Sequence, residues 1–198
     1  LLELIAQSQR PMVLVGVGVI RSKGAVPEFR RFIETLDAPV GSTIMGGGAC
    51  PGNHPLFTGM VGMHGSHASN MATAECDLLI AIGCRFSDRV ATHPASFAQN
   101  AKIVQIDIDR AEIDKNVQTC HHIIGDARRV LELLNEKLPQ HNFTAWKSQV
   151  FARKELPLKK DGILHPHEIL ETISELTNGD AIIATDVGQH QMWSCQYY

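Results

Sequence analysis

Residues Phe57–Asp109 read FTGMVGMHGSHASNMATAECDLLIAIGCRFSDRVATHPASFAQNAKIVQIDID. Gly59, Gly62 and Gly65 recur every third residue, and His64, Ser66 and His67 surround the last of them. A modest helical run follows to Cys76. DLLIAIG then reads as a buried strand, Cys84–Arg89 as a polar loop carrying two arginines, and Lys102–Ile108 as a second buried strand ending in Asp107 and Asp109. Glycines beside a helix start let backbone approach a ligand, and the helix N-terminus presents N–H groups to a phosphate. Loop arginines pair with a diphosphate in bidentate fashion. An acidic residue at a strand end accepts from ribose hydroxyls. Turn glycines and solvated charges would explain any one of these features alone; at successive strand ends they point to a dinucleotide.

Working outward, Leu1–Ser8 is predicted helical and is stopped by Pro11. Met12–Val17 reads as the first strand and runs into Gly16-Val17-Gly18, where a ligand or another backbone can come close. Val26, Phe29, Ile33 and Leu36 set a helix over Ala25–Leu36. Pro39–Ile44 is predicted as a strand leading to Met45 and three glycines, and Ala111–Asn116 as a short helix. His121–Ile124 reads as a strand closed by Gly125-Asp126, and Ala127–Leu138 as an amphipathic helix. Repeated strand and helix predict an α/β fold: a Rossmann-like parallel sheet with helices on both faces. Strand-end loops near Gly16, Thr43, Gly83, Asp107 and Gly125 then share one edge.

The expected domains are a nucleotide-binding domain over 1–140, a helix and linker over 141–163, and a second α/β unit over 164–198. The linker centres on Leu156–Ile163; the second unit has a helix over Pro166–Leu176 and a strand over Asp180–Ala184. The chain opens on Leu1 and closes on Tyr197-Tyr198 within an apolar run, which reads as a piece of a larger protein.

Composition narrows the classes. A formal net charge of −3 over 198 residues gives no basic footprint for nucleic acid. No apolar run reaches the roughly 20 residues of a spanning helix. The five cysteines form no CxxC pair, and the ten histidines form no HxxxH or HExxH pattern, so a histidine- or cysteine-built metal site is not expected.

The run ATDVGQHQMWSCQYY, Ala184–Tyr198, resembles the start of the diphosphate-binding domain in the acetolactate (acetohydroxyacid) synthase family of thiamine-diphosphate enzymes. MVGMHGSHASN, GCRFSDRV, AKIVQIDIDRAEIDKN and IIGDARRVL resemble that family's central domain, in order and spacing. The resemblance implies the large catalytic subunit, which condenses pyruvate with pyruvate or 2-ketobutyrate, with loss of CO₂, in branched-chain amino-acid biosynthesis. It implies FAD, without net redox role, at Gly16, Val17, Gly18, Thr43, Ile44, Met45, Gly62, Met63, His64, Gly65, Ser66, Gly83, Arg85, Arg89, Asp107, Ile108, Glu112, Ile113, Gly125, Asp126 and Ala127. It implies thiamine diphosphate at Val187, Gly188, Gln189 and His190.

On the same resemblance, the activating glutamate and the Mg²⁺ ligands belong to segments outside these residues, so the piece alone is expected to be inactive. A homodimer or homotetramer, a regulatory small subunit and a cytoplasmic location (organellar in a eukaryote) are also implied. Two departures stand out: Ser87 replaces the first aspartate of the family's RFDDR, and Val17 narrows a loop where many relatives carry GGG. Three other classes share parts of this pattern. Another thiamine carboligase or decarboxylase is disfavoured by QHQMW. A sirtuin-like deacylase is disfavoured by the lack of CxxC, and a flavoprotein electron-transfer domain by the turn at Gly188.

Overall fold

The computed structural model describes residues 1–154 and 161–198. Two compact units result, Leu1–Lys154 and Glu155–Tyr198. The first is built on six parallel strands: β1 (Pro11–Val15), β2 (Val40–Ser42), β3 (Phe57–Met60), β4 (Leu78–Ile82), β5 (Lys102–Asp107) and β6 (His121–Ile124). Their order is β3-β2-β1-β4-β5-β6. This is the order of doubly wound dinucleotide-binding sheets, with the switch point between β1 and β4.

Side-chain alternation along the central strands supplies two cores. Val13, Val15, Leu78, Ile80 and Ile82 face one layer, with Phe29, Phe32, Ile33 and Leu36 of α3 (Ala25–Leu36) and Leu131 and Leu134 of α5 (Ala127–Lys137). The short α1 (Leu2–Gln7) adds Ile5 to this layer. Met12, Leu14, Leu79 and Ala81 face the other, with Ala68 and Ala72 of α4 (His67–Glu75) and Trp146 and Val150 of α6 (Thr144–Phe151). A strand buried on both faces needs a continuous apolar run, and PMVLV and LLIAI supply it.

Several expectations change in detail. Val17–Arg21 forms a short helix, α2, directly after β1. β2 ends at Ser42, and Ile44–Ala49 winds into a 3₁₀ helix, so Ile44, expected to close the strand, is not a strand residue. β3 is an additional edge strand; Gly59 in its middle, at φ 110°, and a register shift opposite Val40/Gly41 hid it. The helix expected over Ala111–Asn116 is only a 3₁₀ turn, Arg110–Glu112, because Asp109 caps it and Asp114 at φ 58° turns the chain away.

The helix that the sequence places between the two domains, α6, packs on the first unit. Trp146 Nε1 donates to the Pro11 carbonyl at 3.0 Å, Lys147 pairs with Asp37 at 2.5 Å, and Arg153 pairs with Glu75 at 2.9 Å. The expected linker lies largely on residues 155–160, outside those described. In the second unit α7 (Pro166–Leu176) starts at a His165/Glu168 capping box with Pro166 in its first turn, and α8 (Gln189–Tyr197) follows Gly188. The strand expected over Asp180–Ala184 is not formed: these residues pair with no strand, and Ile182 is 97% exposed. An apolar run becomes a strand only when a ladder partner satisfies its backbone.

Asp77 ties the start of β4 to the α1–β1 turn. Its carboxylate accepts from Ser8 Oγ, from the Gln9 amide at 2.8 Å and from the Arg10 amide at 3.0 Å. Burial pushes this carboxyl up, but the hydrogen bonds together outweigh it and hold Asp77 below its ordinary value. A carboxyl depressed by folding stabilises the fold above its unfolded pKa of about 3.9, and that stabilisation is lost as pH falls through the folded value. Asp77→Asn is therefore expected to lower the urea midpoint at neutral pH, with the gap to the parent closing below about pH 4. Trp146→Phe is expected to cost about 1–3 kcal/mol in urea unfolding, because the buried Pro11 carbonyl loses its donor. An unchanged midpoint would mean that α6 does not stabilise the first unit.

Candidate functional site

In a parallel sheet every strand ends at the same edge, so the loops after β1 to β6 converge there. Gly16–Gly18 follow β1, Thr43–Met45 follow β2, Gly62–Ser66 follow β3 and Gly83–Arg89 follow β4. Asp107, at the end of β5, leads through Ile108 to Glu112 and Ile113, and Gly125–Ala127 follow β6. All the nucleotide positions anticipated from sequence thus lie along one edge. Val187–His190 lie in the second unit.

At the switch point the glycines serve backbone packing. The Gly16 amide donates to Ile82 O at 2.9 Å and the Gly18 amide to Gly83 O at 3.2 Å. A Cβ on Gly16 would stand 2.1 Å from Gly83 O, and one on Gly18 would stand 2.6 Å from Gly83 Cα. Gly83 itself has φ 63°. Of the two uses open to GVG, close approach of another backbone is the one observed; Val17, between them, is half-buried.

The loop after β3 is pinned at several points. Ser66 caps α4 by accepting from the Ser69 amide at 3.1 Å, while its hydroxyl donates to Thr58 O at 2.6 Å. Asn70, in the first turns of α4, accepts from the Gly62 amide and donates to the Gly62 carbonyl, both at 2.9 Å. Gly62 has φ 114°, and a Cβ there would stand 2.1 Å from Arg89 O. Met63 and His64 are exposed at the loop's crest.

The loop after β4 is anchored from beneath. Cys84, Phe86, Val90 and Ala91 are buried, and Phe86 takes φ 49° to place its ring edge-on against Phe97 at 5.7 Å. Arg85 and Arg89 are left exposed, Arg89 Nη1 reaching Met63 Sδ at 3.5 Å. Gln105, fully buried in β5, donates to Cys84 O at 3.0 Å and Glu112 O at 3.3 Å, joining the loops after β4 and β5. The sequence reading missed both braces. A polar residue inside KIVQIDI, and an asparagine near a helix start, are the signals for them.

The acidic groups divide by task. Burial raises the Asp107 carboxyl above its ordinary value; Glu112 and Asp109 add to this, against the hydrogen bonds from the Asp109 and Ile108 amides. Asp109 caps its own turn through the Ala111 amide at 2.9 Å. Asp126 caps α5 through the Arg129 amide at 3.3 Å and accepts from Ser22 Oγ at 2.8 Å, so its carboxylate is already engaged. Glu112 pairs with Lys115 at 2.8 Å. Five side chains on this edge are apolar and exposed: Ile44, Met45, Met63, Ile108 and Ile124.

In the second unit Val187 is 86% exposed, and its amide donates to the neighbouring Asp186 carboxylate at 2.7 Å. Gly188 is extended, and the His190 ring would lie 2.9 Å from a Cβ on it. Gln189 and His190 open α8, both exposed. The five cysteines are free thiols. Burial pushes Cys50 up to about 11 and Cys76 up to about 12, and raises Cys84 as well, so these three stay protonated and serve packing. Among the described residues no group of three His, Cys, Asp or Glu side chains is placed to hold a metal ion, and no helix is long and apolar enough to cross a membrane.

Comparison with known proteins agrees with this architecture. The chain is 44% identical over its whole length to the acetolactate synthase large subunit of Lactococcus lactis, covering 35% of that protein. It is 43% identical over its whole length to acetolactate synthase 2, chloroplastic, of Nicotiana tabacum, covering 31% of it, and 44% identical to acetolactate synthase 1, chloroplastic, of Oryza sativa, covering 32%. It therefore spans about a third of the length of these curated relatives. Residues 1–134, most of the first unit, match the family model described as thiamine pyrophosphate enzyme, central domain, and the chain belongs to that family.

Proposed function

We propose that this chain is the FAD-binding platform of an acetolactate synthase catalytic subunit, joined to the first segment of its thiamine-diphosphate-binding domain. One observation carries the reading. The edge that holds the exposed guanidinium groups of Arg85 and Arg89 also holds the exposed apolar side chains of Met45, Met63 and Ile108. A dinucleotide with flat rings joined by a diphosphate needs both kinds of group along one line. Large apolar groups exposed at a rim of polar loops mark ligand or partner surfaces.

In this assignment Arg85 and Arg89 neutralise the diphosphate, and the Gly62–Ser66 loop lies against it with backbone rather than side chain. Ile44, Met45, Met63 and Ile108 cover ring and ribose faces. Asp107 lies too deep for a free ribose contact, being 9% exposed and already accepting from the Asp109 amide at 3.0 Å; it shapes the end of β5. Gly16, Gly18 and Gly83 keep the floor of the edge low.

In the second unit Val187–His190 form the turn that would meet the diphosphate of thiamine diphosphate. A bend at Val187-Gly188 leads into a nine-residue helix whose first N–H groups are available to an anion. Thiamine diphosphate, when bound with Mg²⁺, supplies the carbanion chemistry that joins two 2-ketoacids with loss of CO₂. The residues described here position cofactors. The complete protein is assigned as a homodimer or homotetramer working with a regulatory small subunit.

The flavin reading is tested by fluorescence titration of FAD into the complete apo protein. Arg85→Ala and Arg89→Ala are each expected to weaken binding by about tenfold or more, the loss of a charge-assisted hydrogen bond, with the melting temperature nearly unchanged. Parent-like affinity in both variants would remove the flavin from this edge. The activity is tested by product analysis. The complete protein is expected to convert pyruvate to acetolactate only with thiamine diphosphate and Mg²⁺, whereas residues 1–198 alone are expected to form none. Turnover by the 198-residue chain above the protein-free blank would overturn the division of labour.

A further inference from the structure

The arginines of the proposed flavin edge sit on the loop after β4, but that loop is not positioned by β4 alone. Arg89 O accepts from the Met63 amide at 2.9 Å, and the Gly62 Cα lies so close that a Cβ there would meet Arg89 O at 2.1 Å and Val90 Cα at 2.9 Å. Arg89 Nη1 reaches back to Met63 Sδ at 3.5 Å. The two loops are one seam of backbone, so the place of the Arg89 guanidinium follows the place of Gly62.

Within its own loop, Gly62 is held by one backbone hydrogen bond, its carbonyl accepting from the Gly65 amide at 2.9 Å, and its own amide is left for a side chain. At φ 114° it occupies a region that favours glycine and offers many alternatives. The side chain that adds to this bond and fixes both polar groups of Gly62 is Asn70. Its side-chain amide takes the Gly62 amide and carbonyl together, each at 2.9 Å, the way a neighbouring strand would. The donor and acceptor ends cannot be exchanged without breaking both bonds.

Asn70 is itself on a fixed base. α4 is capped by Ser66, and its inner face carries Ala68 and Ala72, both buried. Ser69 Oγ lies 2.5 Å from Thr58 Oγ1 and donates to Gly59 O at 2.9 Å. Asparagine is a poor helix-interior residue because its side chain competes for backbone groups, and here that competition is directed at the loop rather than at its own helix.

We propose that Asn70 is a positioning residue of the flavin edge: it sets the Gly62–Gly65 loop and, through Gly62 and Met63, the guanidinium of Arg89. This rests on the flavin reading above. Asn70 touches no ligand in this assignment; it acts through the backbone of Gly62.

The test is a double-mutant cycle in the complete protein, with FAD affinity measured by fluorescence titration. Asn70→Asp is nearly isosteric but faces the Gly62 carbonyl with an oxygen instead of a donor; Asn70→Ala removes the brace and guards against a charge artefact. Each is expected to weaken FAD by about tenfold. When combined with Arg89→Ala, each is expected to add little further loss, because the arginine that it places is already gone. A residue that merely stabilised the fold would lower the melting temperature and give losses that add to that of Arg89→Ala.

Parent-like affinity in both Asn70 variants, or full additivity with Arg89→Ala, would overturn the proposal while leaving the flavin reading intact. Parent-like affinity of Arg89→Ala alone would overturn this proposal; parent-like affinity of both Arg85→Ala and Arg89→Ala would overturn the flavin reading, and this proposal with it.

Discussion

The sheet is held together at its centre by a contact between two pieces of bare backbone. The turn leaving β1 lies directly on the turn leaving β4, with Gly16 and Gly18 against Gly83 and their amides donating hydrogen bonds to Ile82 O and Gly83 O. Any side chain at Gly16 would meet a carbonyl oxygen at 2.1 Å, so the two central strands could not both keep their register and turn where they do. Everything at the carboxyl edge is referred to this crossing: α2 starts from it, and the arginine-bearing loop leaves from it.

Around that crossing, rigidity and exposure are distributed on purpose-built supports. The arginine loop exposes its charges because Cys84, Phe86 and Val90 are driven into the core beneath it. Phe86 accepts a left-handed backbone, disfavoured for a side chain with a Cβ, in exchange for complete burial of a ring. The neighbouring Gln105 fixes two loop carbonyls from inside the sheet. The edge is therefore a braced platform with exposed side-chain tips.

Much of this was legible in the sequence where one physical signal dominated. The spacing of Val26, Phe29, Ile33 and Leu36 marked α3 at its observed bounds, and Pro166 after His165 marked the start of α7. Once the strands were parallel, the shared edge followed from topology. Legibility failed where partners are distant. β3 contains a glycine at φ 110° and pairs through an irregular register, so FTGM carries no clear strand pattern. AIIA in the second unit has strand composition but no ladder partner among the described residues. Asn70 and Gln105 act on backbone groups seven and more positions away, and their residue types carry no period. The tasks of Asp109 and Asp126 as caps were likewise masked by their placement at strand ends, where a ribose contact is the more familiar use.

The pairing of Pro11 with Leu78 has a consequence for how the chain reaches this structure. During synthesis β1 emerges long before β4, and the centre of the sheet cannot close until the segment through Ile82 is available. Parallel, non-local pairings of this kind form slowly and leave apolar segments exposed meanwhile. MVLV, after Pro11, and LLIAI are short charge-free apolar segments, and each strand is preceded directly by a charge, Arg10 and Asp77. In the native turn the Asp77 carboxylate gathers the amides of Gln9 and Arg10. Before folding, the charges of Arg10 and Asp77 flank the same two segments, the placement that opposes addition of foreign strands, so the corner that locks the finished sheet carries its flanking charges as well.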